Sequence, residues 1–359
     1  MADKIKCLMF NRADISLFDN DKLSGAINLN IIDKIDIENF YHSLHTTKIS
    51  QHYDIICIRG ESLNPNHEDS LKVNLFIDMI NDNVKSIGTI LFDFQGEGSC
   101  NKLILNSFDS FRERIKLANY KSKILWNTSE PLSYKDYDIF YNLGYELIYW
   151  YYANNLIVNE YDNNYNRNYL FSFLNGQING RTHRYKMLKK IINSELNDYG
   201  LISALDTTTD IPYKSIGGFD TLNKFTSAVN LIKNSYINLI SESDLGDDTI
   251  GFFITEKTIK PFIYSQIPLI LAKPGMVTHL KKYGFDMFDD IIDNSYDTII
   301  DLDSRIEMIY EELLKLKSMN LSEWFKNNDN RFKYNYNLYK NIVNDSSNIH
   351  TVLTKWVLN

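Results

Sequence analysis

Thr255, Glu256 and Lys257 stand between two apolar runs in the segment FFITEKTIKPFIYSQIPLILAKPG, residues 252–275. Thr255 is a good helix N-cap, which places Glu256 and Lys257 in the first helical turn. The positive end of a helix attracts anions and disfavours a lysine unless an anion neutralises it. We therefore predict that Lys257 contacts a phosphate and that Glu256 accepts hydrogen bonds from sugar hydroxyls; the alternative is an exposed lysine at an ordinary helix start. Pro261 is expected to kink this helix or to start a second short one.

A second group of basic residues follows the predicted strand 169–175, in the sequence FLNGQINGRTHRYKML. The two glycines permit positive φ angles and a close approach of the backbone to a ligand. Arg181, His183 and Arg184 come directly after them, and arginine side chains bind phosphate through two parallel hydrogen bonds. The segment is interpreted either as a phosphate-binding turn or as a solvated turn that leads into a basic helix.

Polar residues also end the predicted strand 235–243, where Ser241, Glu242 and Ser243 follow an apolar run. In open parallel sheets, ligands bind beyond the carboxyl ends of the strands. Hydroxyls and carboxylates at such a position can hold ribose or sugar hydroxyls; the alternative is a surface loop of ordinary polarity.

Carboxylates follow three predicted strands of the first half of the chain. Glu97 lies between two glycines in LFDFQGEGSC, and Glu61 and Glu130 follow other strands in CIRGESL and ILWNTSEPLS. A carboxylate at such a position can act as a general base, and Glu97 is our first choice among the three. The Asp-x-Asp pattern of DLDSRIEM opens a helix, so we expect Asp303 or Ser304 to be its N-cap and predict no metal site there.

Short β-branched or aromatic runs alternate with longer amphipathic segments, which is typical of a parallel α/β sheet. The polar stretch 159–168 separates two such halves. The predicted strands span 5–10, 54–60, 86–94, 122–127, 146–152, 169–175, 235–243 and 267–273. The predicted helices span 70–84, 107–120, 182–198 and 304–319, the Glu256–Lys257 helix and a helical tail.

Composition excludes several classes of protein. The 359 residues carry a formal net charge of −8, and the isoelectric point is about 5.4, which disfavours duplex nucleic acid as a partner. The three cysteines are too few and too widely spaced for a disulfide framework or a zinc site. With neither a signal peptide nor a membrane-spanning run in the sequence, we expect a cytoplasmic protein that is not secreted.

Several motifs occur in an order that resembles the α-1,3-fucosyltransferase family and, more closely, phage and viral glycosyltransferase-like proteins. They are FLNGQINGRTHR, TEKTIKP followed by IPLILAKPG, and YGFDMFDDIIDNSYD, and the resemblance covers roughly residues 171–300. The segment WNTSEPLS weakly resembles the ESP element of the fucosyltransferases. The polar end of the family's strand reads F.NS, whereas this chain has ISES, which puts a guanine donor and fucose in question.

The resemblance implies an α/β chain with two Rossmann-like domains that face a cleft, the GT-B arrangement. We expect an acceptor-side domain over 1–160, a domain that binds a nucleotide-sugar over 161–318, and a helical tail over 319–359 that packs back on the first domain. Lys257 would then contact the donor diphosphate, Glu256 the ribose or sugar, and Arg184 or Arg181 the diphosphate as well. The resemblance also implies that the donor-binding site includes Thr255 and that its nucleotide pocket is lined by Ser241, Glu242 and Ser243.

The predicted function is a glycosyltransferase that transfers a hexosyl or fucosyl group from a nucleotide-sugar to an acceptor hydroxyl, with inversion and without a metal or other cofactor. The acceptor is a glycan, a protein or a modified base. One alternative is a viral DNA-base glycosyltransferase, which the acidic isoelectric point disfavours. The other is a non-catalytic structural or interaction protein that retains the fold.

Overall fold

The computed structural model describes most of the second half of the chain and part of the first half. The described residues are 5–10, 35–40, 52–59, 77–78, 80–82, 85–94, 110–115, 120–126, 138–140, 161, 164–204, 232–242, 245, 252 and 254–347, some by their backbone alone. Within these ranges, no helix combines the length and the apolar character needed to span a membrane.

The chain divides into two compact units. Unit 1 comprises Met1–Tyr149, Asp248–Phe252 and Asp345–Asn359, and unit 2 comprises Trp150–Asp247 and Phe253–Asn344. The domain bounds inferred from the sequence stay a prediction.

Unit 1 contains a six-stranded sheet whose neighbouring strands are all parallel, in the order β2-β1-β3-β4-β5-β6. Four of these strands were predicted, while β2 and β6 were not. The strands are β1 (Ile5–Phe10), β2 (Ile35–Phe40), β3 (Tyr53–Arg59), β4 (Ile87–Phe94), β5 (Lys121–Trp126) and β6 (Asp138–Phe140). The predicted strand 146–152 lies outside the described residues.

Unit 2 contains a four-stranded parallel sheet in the order β10-β9-β7-β8. Its strands are β7 (Tyr169–Asn175), β8 (Gly200–Ala204), β9 (Ser235–Ser241) and β10 (Ile267–Leu271). Every residue of β10 is buried, as expected of a parallel sheet covered on both faces. The prediction of an α/β fold with two Rossmann-like parallel sheets is confirmed, although β8 was not predicted.

Both sheets place their first two strands side by side and their third strand on the other side of the first. In unit 2, the chain runs from β7 outward to β8 and then returns to add β9 and β10 on the opposite side of β7. The direction of winding therefore reverses between β7 and β9. Such a reversal opens a crevice beyond the carboxyl ends of the two strands, where ligands bind in doubly wound folds.

Most helices of unit 2 were predicted and differ from the prediction only at their ends, whereas the helix over 276–282 was not predicted. They are α1 (Thr182–Ile192), α2 (Glu256–Ile263), α3 (Met276–Lys282), α4 (Leu302–Lys317), α5 (Leu321–Asn327) and α6 (Asp329–Ser347), with 3-10 turns at Glu195–Asp198 and Asn294–Thr298. Helix α2 continues through Pro261 and ends at Ile263, so the predicted start of a second helix at this proline is wrong.

Aromatic side chains pack α5 and α6 against the rest of unit 2. Phe332 stacks on Phe325 and contacts Phe288. Arg331 lies over the Phe288 ring, and both Asp286 oxygens accept its hydrogen bonds, at 2.6 and 2.9 Å. Helix α5 and the start of α6 are therefore part of the core of unit 2.

Candidate functional site at the carboxyl ends of β7 and β9

The turn after β7 leads directly into helix α1. Gly180 has a φ of 71°, a conformation that favours glycine. Arg181 occupies the N-cap position but supplies no side-chain hydrogen bond to the helix, and the first turn contains no acidic residue. The positive end of α1 is therefore flanked by basic residues, with Arg181 half-buried.

His183 and Arg184, on the first turn of α1, bind the end of β9. The Arg184 guanidinium donates to the carbonyl oxygens of Gln177 at 2.9 Å and Ser241 at 3.2 Å. His183 Nε2 lies 2.9 Å from the carbonyl oxygen of Glu242. Arg184 is only 4% exposed, so in this structure its side chain joins the turn after β7 to the end of β9.

Glu242 continues this network from β9 to helix α2. Its carboxylate is fully buried and accepts hydrogen bonds from the hydroxyls of Thr255, at 2.7 Å, and Thr258, at 2.5 Å. The Thr255 N–H also donates to this carboxylate, at 3.3 Å. The negative charge of Glu242 therefore lies against the positive end of α2, and this attraction offsets part of the free-energy cost of burying the charge.

Lys257 belongs to the same network through Thr255. Thr255 is the N-cap of α2, as predicted, and its hydroxyl oxygen accepts from the Lys257 N–H at 3.3 Å. The Lys257 ammonium donates to the same oxygen at 3.2 Å and is half-buried. The starts of α1 and α2 are thus connected through the last residues of β9, and a basic residue stands at each.

Two further polar side chains lie at this end of the sheet. Asn175 and Ser241 are the last residues of β7 and β9, and both are buried. Neither the Asn175 amide nor the Ser241 hydroxyl forms a hydrogen bond with the part of the chain that the structure describes. Buried polar groups of this kind are rare, and sites that receive a ligand are one place where they occur.

The structure brings together most of the site residues that the sequence singled out in the second half. Arg184, Ser241, Glu242, Thr255 and Lys257 form one connected group, and Arg181 stands at its margin. Glu256 is the first residue of α2, but its side chain lies outside the described part of the structure, as does all of Ser243. The three carboxylates proposed as a base, Glu61, Glu97 and Glu130, also lie outside it.

Sequence reasoning missed the roles of Gln177, Thr258 and Asn175. Thr258 follows the Thr-Glu-Lys motif by one position, and a hydroxyl there is one helical turn from the N-cap. The signal was therefore present, but the acceptor of its hydrogen bond, Glu242, is 16 positions away in the sequence.

The Asp-x-Asp segment serves the start of helix α4. Asp301 is the N-cap and accepts from the Ser304 N–H at 2.8 Å, so the prediction of Asp303 or Ser304 as the N-cap is wrong because the helix begins at Leu302, two residues earlier than predicted. Asp303 pairs with Lys186 of α1 at 2.6 Å. Among the described residues, no group of three His, Cys, Asp or Glu side chains is placed to hold a metal ion.

Comparisons with known proteins find similarity among solved structures alone. No protein-family profile and no curated protein matches the chain. The DNA-modifying enzyme β-glucosyltransferase, solved with and without uridine diphosphoglucose, is 11% identical over 98% of this chain and 99% of its own, with a TM-score of 0.46. An α1,3-fucosyltransferase is 13% identical over 95% of this chain and 90% of its own, with a TM-score of 0.43.

The β-glucosyltransferase and the α1,3-fucosyltransferase are both glycosyltransferases. A structure of an α1,3-fucosyltransferase with GDP-fucose gives a TM-score of 0.35 at 12% identity, over 95% of this chain and 90% of its own. These are the kinds of enzyme that the sequence motifs resemble. At TM-scores below 0.5 the likeness says nothing about the donor or acceptor of this chain, so the residues of the site carry the proposal that follows.

Proposed function

We propose that the chain is a glycosyltransferase that moves a sugar from a nucleotide-sugar to an acceptor hydroxyl. The observation that carries the proposal is the network at the winding reversal between β7 and β9. It joins two helix starts, each with a basic residue, at the edge of the sheet where doubly wound folds bind nucleotides. The motifs FLNGQINGRTHR and TEKTIKP, which resemble fucosyltransferases, supply the substrate class.

Arg181 and Lys257 are the residues proposed to bind the donor diphosphate. Both are half-buried, whereas Arg184 is buried and engages two backbone carbonyls. Arg184 is therefore assigned to holding the turn after β7, and Arg181, of the two arginines that the sequence offered, to the phosphate. Ser241 and Ser243 are proposed to line the nucleotide pocket, with Glu256 on the ribose or sugar.

The site favours transfer by stabilising the leaving group. Cleavage of the bond between sugar and nucleotide leaves negative charge on the diphosphate. The Lys257 ammonium, the Arg181 guanidinium and the positive ends of α1 and α2 are present at the site before this charge develops, which is the condition for effective electrostatic stabilisation. With these groups neutralising the diphosphate, the proposed reaction needs no metal ion.

The proposed base comes from unit 1 and deprotonates the acceptor hydroxyl, which gives inversion in a single displacement. Glu61, Glu97 and Glu130 follow the last residues of β3, β4 and β5 by two (61 − 59), three (97 − 94) and four (130 − 126) positions. These strands are parallel neighbours, so their carboxyl ends lie at the same edge of the sheet. Glu97 remains the first choice.

The first experiment measures thermal stabilisation of the chain by UDP and GDP, with the Lys257→Ala variant in parallel. We expect one nucleotide to raise the melting temperature of the wild type and to raise that of the variant much less. Absence of a shift with both nucleotides would favour a non-catalytic protein that retains the fold. A transfer assay with glycan, protein and modified-DNA acceptors then identifies the acceptor, and Glu61→Gln, Glu97→Gln and Glu130→Gln identify the base.

A further inference from the structure

We propose that Glu242 is a positioning residue for Lys257: its carboxylate fixes the Thr255 hydroxyl so that the oxygen lone pairs of this hydroxyl face the Lys257 ammonium. The inference rests on the proposed function, in which Lys257 binds the donor diphosphate. It assigns to Glu242 a role different from the one expected from the sequence, which was to line the nucleotide pocket directly.

The burial and contacts of Glu242 exclude direct contact with a ligand in this structure. The side chain has no exposed surface. Oε1 accepts from the Thr258 hydroxyl at 2.5 Å and from the Thr255 hydroxyl and N–H at 3.0 and 3.3 Å, and Oε2 accepts from the Thr255 hydroxyl at 2.7 Å. The carboxylate therefore faces the start of α2 rather than solvent.

The direction of each hydrogen bond follows from the chemistry of the three groups. An ionised carboxylate only accepts, and a lysine ammonium only donates. The Thr255 hydroxyl has one proton, which it donates in a hydrogen bond to the Glu242 carboxylate. Its oxygen lone pairs therefore accept from the Lys257 ammonium, which lies 3.2 Å away. Glu242, Thr255 and Lys257 thus form a chain of bonds with one polarity from the ammonium to the carboxylate.

Glutamine at position 242 would disturb this polarity with little change in volume. An amide has one acceptor oxygen in place of two, so glutamine offers fewer acceptors for the hydrogen bond from the Thr255 hydroxyl. Its N–H can instead donate a hydrogen bond to the Thr255 oxygen, in competition with the Lys257 ammonium. We expect Glu242→Gln to weaken the binding of UDP or GDP by at least about tenfold, the lower end of what one hydrogen bond to a charged group contributes.

The direction of the change in nucleotide affinity distinguishes a positioning role of Glu242 from direct repulsion between its charge and the diphosphate. A carboxylate near a diphosphate site repels the ligand, so neutralising Glu242 through space would strengthen binding. Positioning of Lys257 predicts weaker binding instead. An affinity for UDP or GDP that rises or stays unchanged in Glu242→Gln, while Lys257→Ala loses affinity, would overturn the inference and leave the proposed function intact.

The experiment is a double-mutant cycle measured by isothermal titration calorimetry with UDP and with GDP. Glu242→Gln should weaken binding in the wild-type background and have no further effect in Lys257→Ala, because both changes remove the same contact. Independent, additive losses would show that Glu242 acts elsewhere. Failure of the wild type to bind either nucleotide would end both this inference and the proposed function, whereas a null result confined to Glu242→Gln ends the inference alone.

Two further variants guard against a loss of binding through misfolding. Thr255→Val removes the hydroxyl and should lose the Lys257-dependent part of the affinity, while Thr255→Ser retains the hydroxyl and should restore it. Glu312→Gln is the matched control: Glu312 is also a buried carboxylate of unit 2, and it pairs with Lys315 at 2.9 Å on α4. This control should leave nucleotide affinity at the wild-type value.

Discussion

Arg184 and Arg181 are three positions apart, yet the structure predicts opposite results when each is replaced by alanine. The Arg184 guanidinium is 4% exposed and donates to the carbonyls of Gln177 and Ser241. Arg184→Ala leaves both carbonyls without this donor. Arg181 is half-buried at the start of α1 and gives the helix no side-chain cap.

The magnitude for Arg184→Ala follows from these two hydrogen bonds. A hydrogen bond to a charged group contributes about 1.5–3 kcal/mol, and two on one side chain are not fully additive, so we expect a loss of about 3 kcal/mol in the free energy of unfolding. For a unit of about 150–250 residues, this corresponds to a fall in melting temperature of about 6–12 °C. Arg181→Ala should cost less free energy of unfolding than Arg184→Ala, because Arg181 is only half-buried and gives α1 no side-chain cap.

Urea unfolding followed by circular dichroism measures the stability of the two variants, and calorimetry with UDP and GDP measures their affinity. Because the chain has two units, the m-value of each transition is compared with that of the wild type. The structure predicts that Arg184→Ala loses stability and that Arg181→Ala loses affinity. If Arg184→Ala instead unfolds like the wild type and fails only to bind nucleotide, Arg184 contacts the phosphate and the assignment made here is wrong.

Three other predictions concern stability. Ser241→Ala removes a buried hydroxyl that has no hydrogen-bond partner among the described residues, so the free energy of unfolding in urea should rise by about 1 kcal/mol; a decrease would contradict this. Burial, aided by the charge of Lys282, lowers the pKa of His279 to about 4 from 6.5. As the pH falls, His279 therefore takes up a proton in the unfolded chain at a higher pH than in the folded one, and the free energy of unfolding should drop by about 2 kcal/mol between pH 7 and 5. A His279→Gln variant should lose this part of the pH dependence. If the variant keeps the pH profile of the wild type, His279 is not its cause. Arg331→Lys keeps the charge but cannot pair with both Asp286 oxygens, so thermal unfolding should show a loss of about 1–2 kcal/mol, and a value near zero would contradict the role given to this pair.

Local sequence patterns were sufficient for the parts of the fold in which they agree with the tertiary structure. The apolar run of β10 and the Thr255 cap of α2 were both predicted, because each depends on residues a few positions apart. Strand β8 was missed because GLISA contains glycine, serine and alanine, which have a low strand propensity. Its glycine is explained by the neighbouring strand, since a Cβ at Gly200 would overlap the Phe171 ring.

The site was predicted at the level of residue types and less well at the level of roles. The sequence indicated that basic residues follow β7 and that Lys257 begins a helix. It did not indicate that the Arg184 guanidinium donates to a carbonyl 57 positions away or that Glu242 accepts from Thr255, 13 positions away. Those contacts depend on the placement of β9 beside β7, which no local pattern determines.

The central claim is that a nucleotide diphosphate binds beyond the ends of β7 and β9, and a crystal structure of the chain soaked with a mixture of nucleotide-sugars tests it most directly. The structure predicts a diphosphate within hydrogen-bonding distance of Lys257 and Arg181, at the starts of α1 and α2. A nucleotide whose phosphates lie away from both residues, or no bound nucleotide at millimolar concentration, would contradict the claim.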